Sequence, residues 1–189
     1  MLRKIFGIFL LFVVVSVSIT IVIIPTFFTK NISRTSLHKE IRLKAILDSK
    51  EDIEILFFGY SGCSDICTPR LETIAKLYDT LDAQTKKRVS LKFLDISLPA
   101  DKTLPQRFAN YFHKDFRGVY LDNKVLREYT KVFSVYFAPS LSDKTEYDHT
   151  TNLYIVKRSK RSDEIRYIYS AYPYDFQQIK LDIKELIDE

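Results

Sequence analysis

The residues with distinctive chemistry sit close together. Both cysteines of this 189-residue chain lie in one stretch, Gly59-Tyr60-Ser61-Gly62-Cys63-Ser64-Asp65-Ile66-Cys67-Thr68-Pro69. Cys63 and Cys67 are four apart, and on a helical turn that spacing puts two side chains on one face, about 6 Å apart along the axis. Two thiols so placed can close a disulfide or share a soft metal ion. The stretch follows an apolar run and precedes an amphipathic one, so it reads as a strand-to-helix junction. A helix N-terminus lowers a thiol pKa and favours the thiolate that both roles need. A purely structural disulfide is the weaker reading. Closing so short a loop stabilises by about 2 kcal/mol on chain-entropy arguments, against about 4.7 kcal/mol for a 100-residue loop.

A third donor is available among the three histidines. His149 stands in Tyr147-Asp148-His149-Thr150-Thr151, immediately before an apolar run that begins at Leu153. Two thiolates and an imidazole suit Cu(I), Cu(II) or Zn(II). His38, near the polar stretch after the N-terminus, and His113, in a charged helix end, read as surface residues. The acidic residues are scattered and read as solvated surface. There is no glycine-rich phosphate loop, no serine-nucleophile elbow and no HExxH. Met1 is the only methionine, which excludes a Met-rich copper relay.

These residues need a scaffold, and the chain alternates. Ile53–Phe58 is a short apolar run bounded by charges and Gly59, a buried strand. Pro69–Leu81 carries Leu71, Ile74, Leu77, Tyr78 and Leu81 on one helical face. Val89–Ile96 begins with alternation and predicts a second strand. Thr103–Phe112 predicts a helix, with Thr103 as a cap candidate and Pro105 in the first turn. Val119–Leu121 reads as a short strand and Val125–Phe133 as a helix. Leu153–Val156 and Ile165–Tyr169 predict two strands joined by a charged turn. Phe176, Ile179, Ile183, Leu186 and Ile187 close the chain with an amphipathic helix. Alternating strands and helices, then two adjacent strands and a helix, is the order of an α/β, thioredoxin-like fold: a central mixed sheet flanked by helices. In that fold the loop entering the strand at Leu153 faces the first strand-to-helix turn, which brings His149 within reach of the thiols.

Composition agrees with one folded domain of sufficient length to bury a core. Hydrophobic residues make up 46% and aromatics 14%, too many for a disordered chain. Four Gly and six Pro exclude collagen-like and low-complexity classes, and two Cys exclude a four-cysteine zinc site. The net charge of +5 is modest and has no dominating basic run, so nucleic acid has no electrostatic case.

The N-terminus suggests the compartment. Ile5–Ile24 is free of charge, and 20 residues of helix rise about 30 Å, the thickness of a bilayer core. Arg3 and Lys4 before it favour a cytoplasmic start, so the rest of the chain is exported. The run ends in Ile23-Ile24-Pro25-Thr26 and offers no small-x-small cleavage site, so it reads as an uncleaved anchor of a bacterial inner membrane. Residues 1–4 are then a cytoplasmic tail, 5–24 one transmembrane helix, and 25–52 a tether into the domain with a weak helix or first strand at 41–47. Residues 53–189 form the globular domain in the periplasm.

With these residues in view, the sequence resembles the Sco/SenC family of copper-binding, thioredoxin-like assembly proteins of cytochrome c oxidase. The family carries a membrane anchor, a motif close to GYTHCPDVCP, and a downstream Asp-His-Ser/Thr. Here these are the Gly59–Pro69 stretch and Asp148-His149-Thr150, and the similarity runs from about Ile53 to the last helix. Val132–Phe137 is similar to a further family stretch. The resemblance implies that Cys63, Cys67 and His149 are copper ligands, with Asp65 and Asp148 as neighbours that tune or orient them. It implies a metallochaperone that binds one copper ion and delivers it to an acceptor such as oxidase subunit II. The sequence departs from the family at Gly62, where His is usual, and at Ser64, where Pro is usual. The Pro after the second Cys comes one place late, at Pro69, and the segment Asp95–Thr103 is degraded, as expected of a divergent member. A thiol-disulfide oxidoreductase using Cys63 and Cys67 on partner cysteines is the alternative.

Overall fold

The structure, a computed structural model, describes the backbone of residues 2–42, 50–141, 143, 146–159 and 162–189, and side chains over the same residues except 2–4 and 22–32. It divides into two compact units, residues 1–35 and 36–189. The first is helix α1 (Leu2–Ile32), whose described side chains, residues 5–21, are exposed throughout. Among the described residues, no helix is long and apolar enough to cross a membrane. The expected span over 5–24 ends in three residues whose side chains lie outside the described set; of the expected apolar patch at 41–47, Ile41 is the buried last residue of a strand and 43–47 lie outside the described residues.

The second unit is built on a six-stranded sheet. Its strands are β1 (Arg34–Ile41), β2 (Ile53–Gly59), β3 (Val89–Asp95), β4 (Arg117–Tyr120), β7 (Leu153–Lys157) and β8 (Asp163–Tyr169), in the order β1-β8-β7-β2-β3-β4. β2, β3 and β4 run parallel; β7 lies antiparallel to β2 and β8 antiparallel to β7. β2, β3 and β4 are separated by helices, as parallel neighbours require, and β7 and β8 form a direct hairpin. A separate two-stranded sheet joins β5 (Phe137–Pro139) to β6 (Tyr147–His149). Helices α2 (Cys67–Asp79), the short α3 (Ala83–Lys86), α4 (Leu104–Phe112), α5 (Asn123–Phe133) and α6 (Phe176–Asp188) complete the fold. α4 packs on β3, β4 and α2, and α6 on β2.

β2 and β3 form the centre, and every residue of both is buried. For β2 the apolar run foretells this. For β3 the alternation suggests a solvent face that does not exist: Ser90 and Lys92 are buried. Lys92, 1% exposed, meets Glu54 at 3.2 Å, and Arg158 reaches the same Glu54 oxygen at 3.2 Å. Asp95 and Asp182 are also buried, Asp182 accepting from the Tyr169 hydroxyl. The acidic residues are therefore not all solvated surface. A charge is tolerated inside when a partner and hydrogen bonds meet it there.

Local signals explain several helix ends. Asp122 caps α5 by accepting from the amides of Lys124 and Val125, both at 2.9 Å, and Asp175 caps α6 through Gln178. Thr103 does not cap α4; its hydroxyl donates to Asp101 instead, at 2.7 Å. Residues 34–41, assigned to the tether from sequence, add an edge strand to the sheet.

Candidate metal centre

The site begins where β2 ends. Gly59 closes the strand, and its carbonyl is held by the Ile96 amide at 2.8 Å. A Cβ on Gly59 would stand 2.8 Å from the Cys67 sulfur, so glycine there makes room for the thiol. The next residues turn tightly: the Cys63 amide donates to the Tyr60 carbonyl at 3.2 Å, and Gly62 has φ +100°, a conformation open to glycine and strained for other residues. Asp95, at the end of the neighbouring strand, accepts from the Ser61 amide (3.0 Å) and hydroxyl (2.5 Å) and from the Ser97 amide (2.8 Å) and hydroxyl (2.6 Å). One buried carboxylate thus ties the cysteine loop to β3.

Cys67 is the first residue of α2, and Cys63 lies before the helix, not on it. The four-residue spacing still works, because the Cys67 amide donates to the Cys63 sulfur at 3.1 Å. Ile66, at the cap position, has no side-chain bond to offer, and the Cys63 sulfur stands where a capping acceptor would. The Cys63 carbonyl accepts from the Thr68 amide (3.3 Å) and hydroxyl (2.9 Å), fixing the turn. Both cysteines are free thiols, 3% and 0% exposed.

His149 comes from a different element, β6. Thr150 pins that strand to the β5 side: its hydroxyl accepts from the Tyr136 amide at 3.0 Å and its own amide donates to the Tyr136 carbonyl at 2.9 Å. The imidazole packs edge-on against Tyr60, ring centres 5.7 Å apart. Its Nδ1 is 3.0 Å from the Thr150 carbonyl, and its Nε2 is 3.4 Å from the Cys67 sulfur. A carbonyl can only accept, so the Nδ1 position carries the proton in the neutral ring. Nε2 is then the lone-pair nitrogen and faces the sulfurs, the arrangement a metal-binding imidazole requires.

The two thiols differ sharply. The Cys67 thiol holds a proton against Cys63, and that bond lowers the Cys63 pKa to about 5 against the opposing effect of burial; the Cys67 and Ile66 amides add to the lowering. Cys67 is pushed far up, because its proton is shared with Cys63, because it is buried, and because a second negative charge would sit beside the first. The pair holds one negative charge.

The three ligand atoms lie within 4.8 Å of one another. Ligands about 2.0–2.3 Å from a soft ion stand about 3.5–4 Å apart, so small side-chain shifts would close the three around one ion. Two sulfurs and a nitrogen, with no carboxylate among them, form a soft donor set that suits copper or zinc and not calcium or magnesium.

Other candidate residues fall elsewhere. Asp65 accepts from the Ser64 hydroxyl at 2.8 Å, and both Asp65 and Asp148 are exposed. Among the described residues neither bonds to the three donors; both face a cavity of about 310 Å³ that opens onto Cys63. Orientation comes instead from Asp95 and Thr150. Asp95 could have been found from its place: it ends the strand after the motif and is flanked by apolar residues. His38 is exposed and lies 3.5 Å from Glu164. His113, expected at the surface, is half-buried: it packs between Tyr78 and Phe116 and meets Asp79 at 3.3 Å.

The SCO1/SenC family profile matches residues 47–187. A putative copper-binding protein of Stutzerimonas stutzeri is 30% identical over 107 residues, 54% of this chain and 52% of that protein. The matches span between 36% and 54% of the length of the curated relatives. The solution structure of apo Sco1 from Thermus thermophilus superposes with a TM-score of 0.62 at 22% identity, over 81% of this chain and 92% of that one. Copper-bound ScoI of Arabidopsis thaliana superposes with a TM-score of 0.61 at 17% identity, over 82% and 99%. At such identities the superpositions establish the fold, an α/β thioredoxin-like fold with a mixed sheet, and the profile match over three quarters of the sequence places this chain in the SCO1/SenC family.

Proposed function

We propose that this chain is a copper metallochaperone that holds one copper ion between Cys63, Cys67 and His149 and passes it to an acceptor. The observation that carries this reading is the convergence of two sulfurs and an unprotonated Nε2 within 4.8 Å. Copper is cargo. Its uptake displaces the proton that Cys67 shares with Cys63, since a thiolate and not a thiol is the ligand. Copper-bound relatives of the same fold support the choice of metal. The acceptor is the copper site of cytochrome c oxidase subunit II, in keeping with the family resemblance. Residues 5–24 hold the chain in a bacterial inner membrane with the domain in the periplasm. In support, the hydroxyls of Ser16, Ser18 and Thr20 all bond to carbonyls of their own helix, which is how such groups are satisfied in lipid.

The test is anaerobic copper titration of the reduced full chain in detergent, followed by thiolate charge-transfer absorption. One equivalent should bind, and the Cys63→Ala/Cys67→Ala variant should bind none; stoichiometric binding by that variant would end the proposal. Fractionation tests the anchor: the chain should pellet with membranes and resist a carbonate wash, and release by carbonate would refute it.

A second reading rests on the asymmetry of the thiols. A Cys63 thiolate beside a protonated Cys67 is the pairing a thiol-disulfide oxidoreductase uses. Cys63 would attack a partner disulfide and release one partner thiolate; Cys67, losing its proton, would attack Cys63 and release the second. The chain ends oxidised and the partner reduced by two electrons. His149→Ala separates the readings: lost copper affinity with unchanged exchange marks the chaperone, and unchanged copper binding marks the oxidoreductase.

A further inference from the structure

A second cavity, about 500 Å³, lies among residues that precede the central strands, whereas the cysteines follow β2. Its walls take residues from α2, α3, α4 and the starts of β3 and β4. Four cations line it: Lys86, Lys87, Lys114 and Arg117. Among the described residues Glu51 and Asp115 are the acids of the same lining, so the cations outnumber them two to one. Lys86 is partly engaged by Asp79 at 3.8 Å, and Arg117 by Glu51 at a long 3.4 Å. Lys87 and Lys114 are exposed.

Two buried oxygens in this lining have no hydrogen-bond partner among the described residues: the Ser90 hydroxyl and Glu51 Oε2. Ser90 is 6% exposed and sits in the central strand β3. A hydroxyl and a carboxylate oxygen left unmatched in a polar wall are unfavourable until something meets them. They ask for different things. The cations and the Ser90 hydroxyl call for an anion, and the second Glu51 oxygen calls for a donor. A bare oxyanion would leave Glu51 repelled; a simple cation would face four positive charges.

We propose that this cavity binds a phosphate ester whose organic part carries hydroxyl or amino donors. The phosphate lies among Lys86, Lys87, Lys114 and Arg117 with the Ser90 hydroxyl donating to it, and a donor of the organic part reaches Glu51. The cavity has room for such a molecule beyond the phosphate, and Tyr78 and Phe116 give it an apolar side. Glycerol phosphate has this chemistry, and so does a phosphatidylglycerol headgroup; the two sources are distinguished by experiment. The site is separate from the cysteines and independent of the copper reading.

The full chain in neutral detergent is titrated calorimetrically with sn-glycerol 3-phosphate, with glycerol and inorganic sulfate as controls. Saturable binding at one site is expected, tighter than sulfate and absent for glycerol. Ser90→Ala should weaken it about tenfold or more, the worth of one hydrogen bond to a charged group. Lys87→Ala/Lys114→Ala, at exposed positions that leave the fold intact, should weaken it further and flatten its salt dependence. Phosphatidylglycerol added to the micelles either competes, identifying a headgroup site, or does not, identifying a soluble ester. Binding no tighter than sulfate, or binding indifferent to all three substitutions, overturns the proposal.

Discussion

The unequal cysteines set the chemistry at the scale of single residues. Because Cys63 is held at about 5 by the Cys67 thiol, one thiolate should appear in the ultraviolet thiolate band with a midpoint near that value, while Cys67 stays protonated through neutral pH. The stability consequence has a definite sign. A thiol lowered on folding contributes stability that is complete above the unfolded value near 9 and is lost as pH falls through about 5. Cys67, raised on folding, acts oppositely: its contribution is complete below 9 and is lost as pH rises. Stability from the pair should therefore peak near pH 9 and decline toward acid, and Cys63→Ser should flatten the acid side; denaturation midpoints measured across pH 4–10 report this. Gly62 gives a second residue-level prediction. Its φ of +100° is strained for any side chain, so Gly62→His, which introduces the residue usual in the family, should destabilise by about 1–3 kcal/mol in chemical denaturation. Divergence at Gly62 is thus a backbone change as well as a side-chain change.

At the scale of elements, the site depends on two short pieces of chain meeting. The cysteine loop was legible, because a charge-bounded apolar run, a CxxxC and an amphipathic stretch make a strand-turn-helix in any α/β fold. The β5–β6 pair was not legible: three-residue strands have no periodicity to detect, and their pairing is a tertiary event. Thr150 carries that pairing through two bonds to Tyr136. Thr150→Val keeps the shape and removes the acceptor, so it should lower copper affinity about tenfold, as loss of outer partners of a metal ligand does, with Thr150→Ser retaining it. β2 was legible both as a strand and as buried, whereas β3 was legible as a strand but not in its burial. Alternation cannot distinguish a half-buried strand from a central one that carries an ion pair, as β3 does at Lys92. Lys92→Met should destabilise by about 3 kcal/mol, the low end for breaking a buried pair, because Arg158 still reaches Glu54. Copper affinity should not change, which separates the core charge cluster from the site.

At the scale of the whole molecule, the ligands are far apart in the chain and belong to different parts of the unit, Cys63 and Cys67 following β2 and His149 on β6. A metal held by all three is a cross-link across more than 80 residues, and only the folded unit offers the complete set. Ligand that binds the native state alone stabilises it by mass action, about 4 kcal/mol when free metal is a thousandfold above its dissociation constant. For a domain of this size that corresponds to a rise of roughly 8–16 °C in the unfolding midpoint, at about 2–4 °C per kcal/mol. Calorimetry of the reduced full chain, with and without a buffered Cu(I) donor, should show that rise. His149→Ala should remove most of it, because the two cysteines alone, four residues apart, are available in the unfolded chain as well and give the folded state little advantage. A shift of equal size in wild type and His149→Ala would mean that the cysteine loop binds copper by itself, and that β6 has no part in holding the ion.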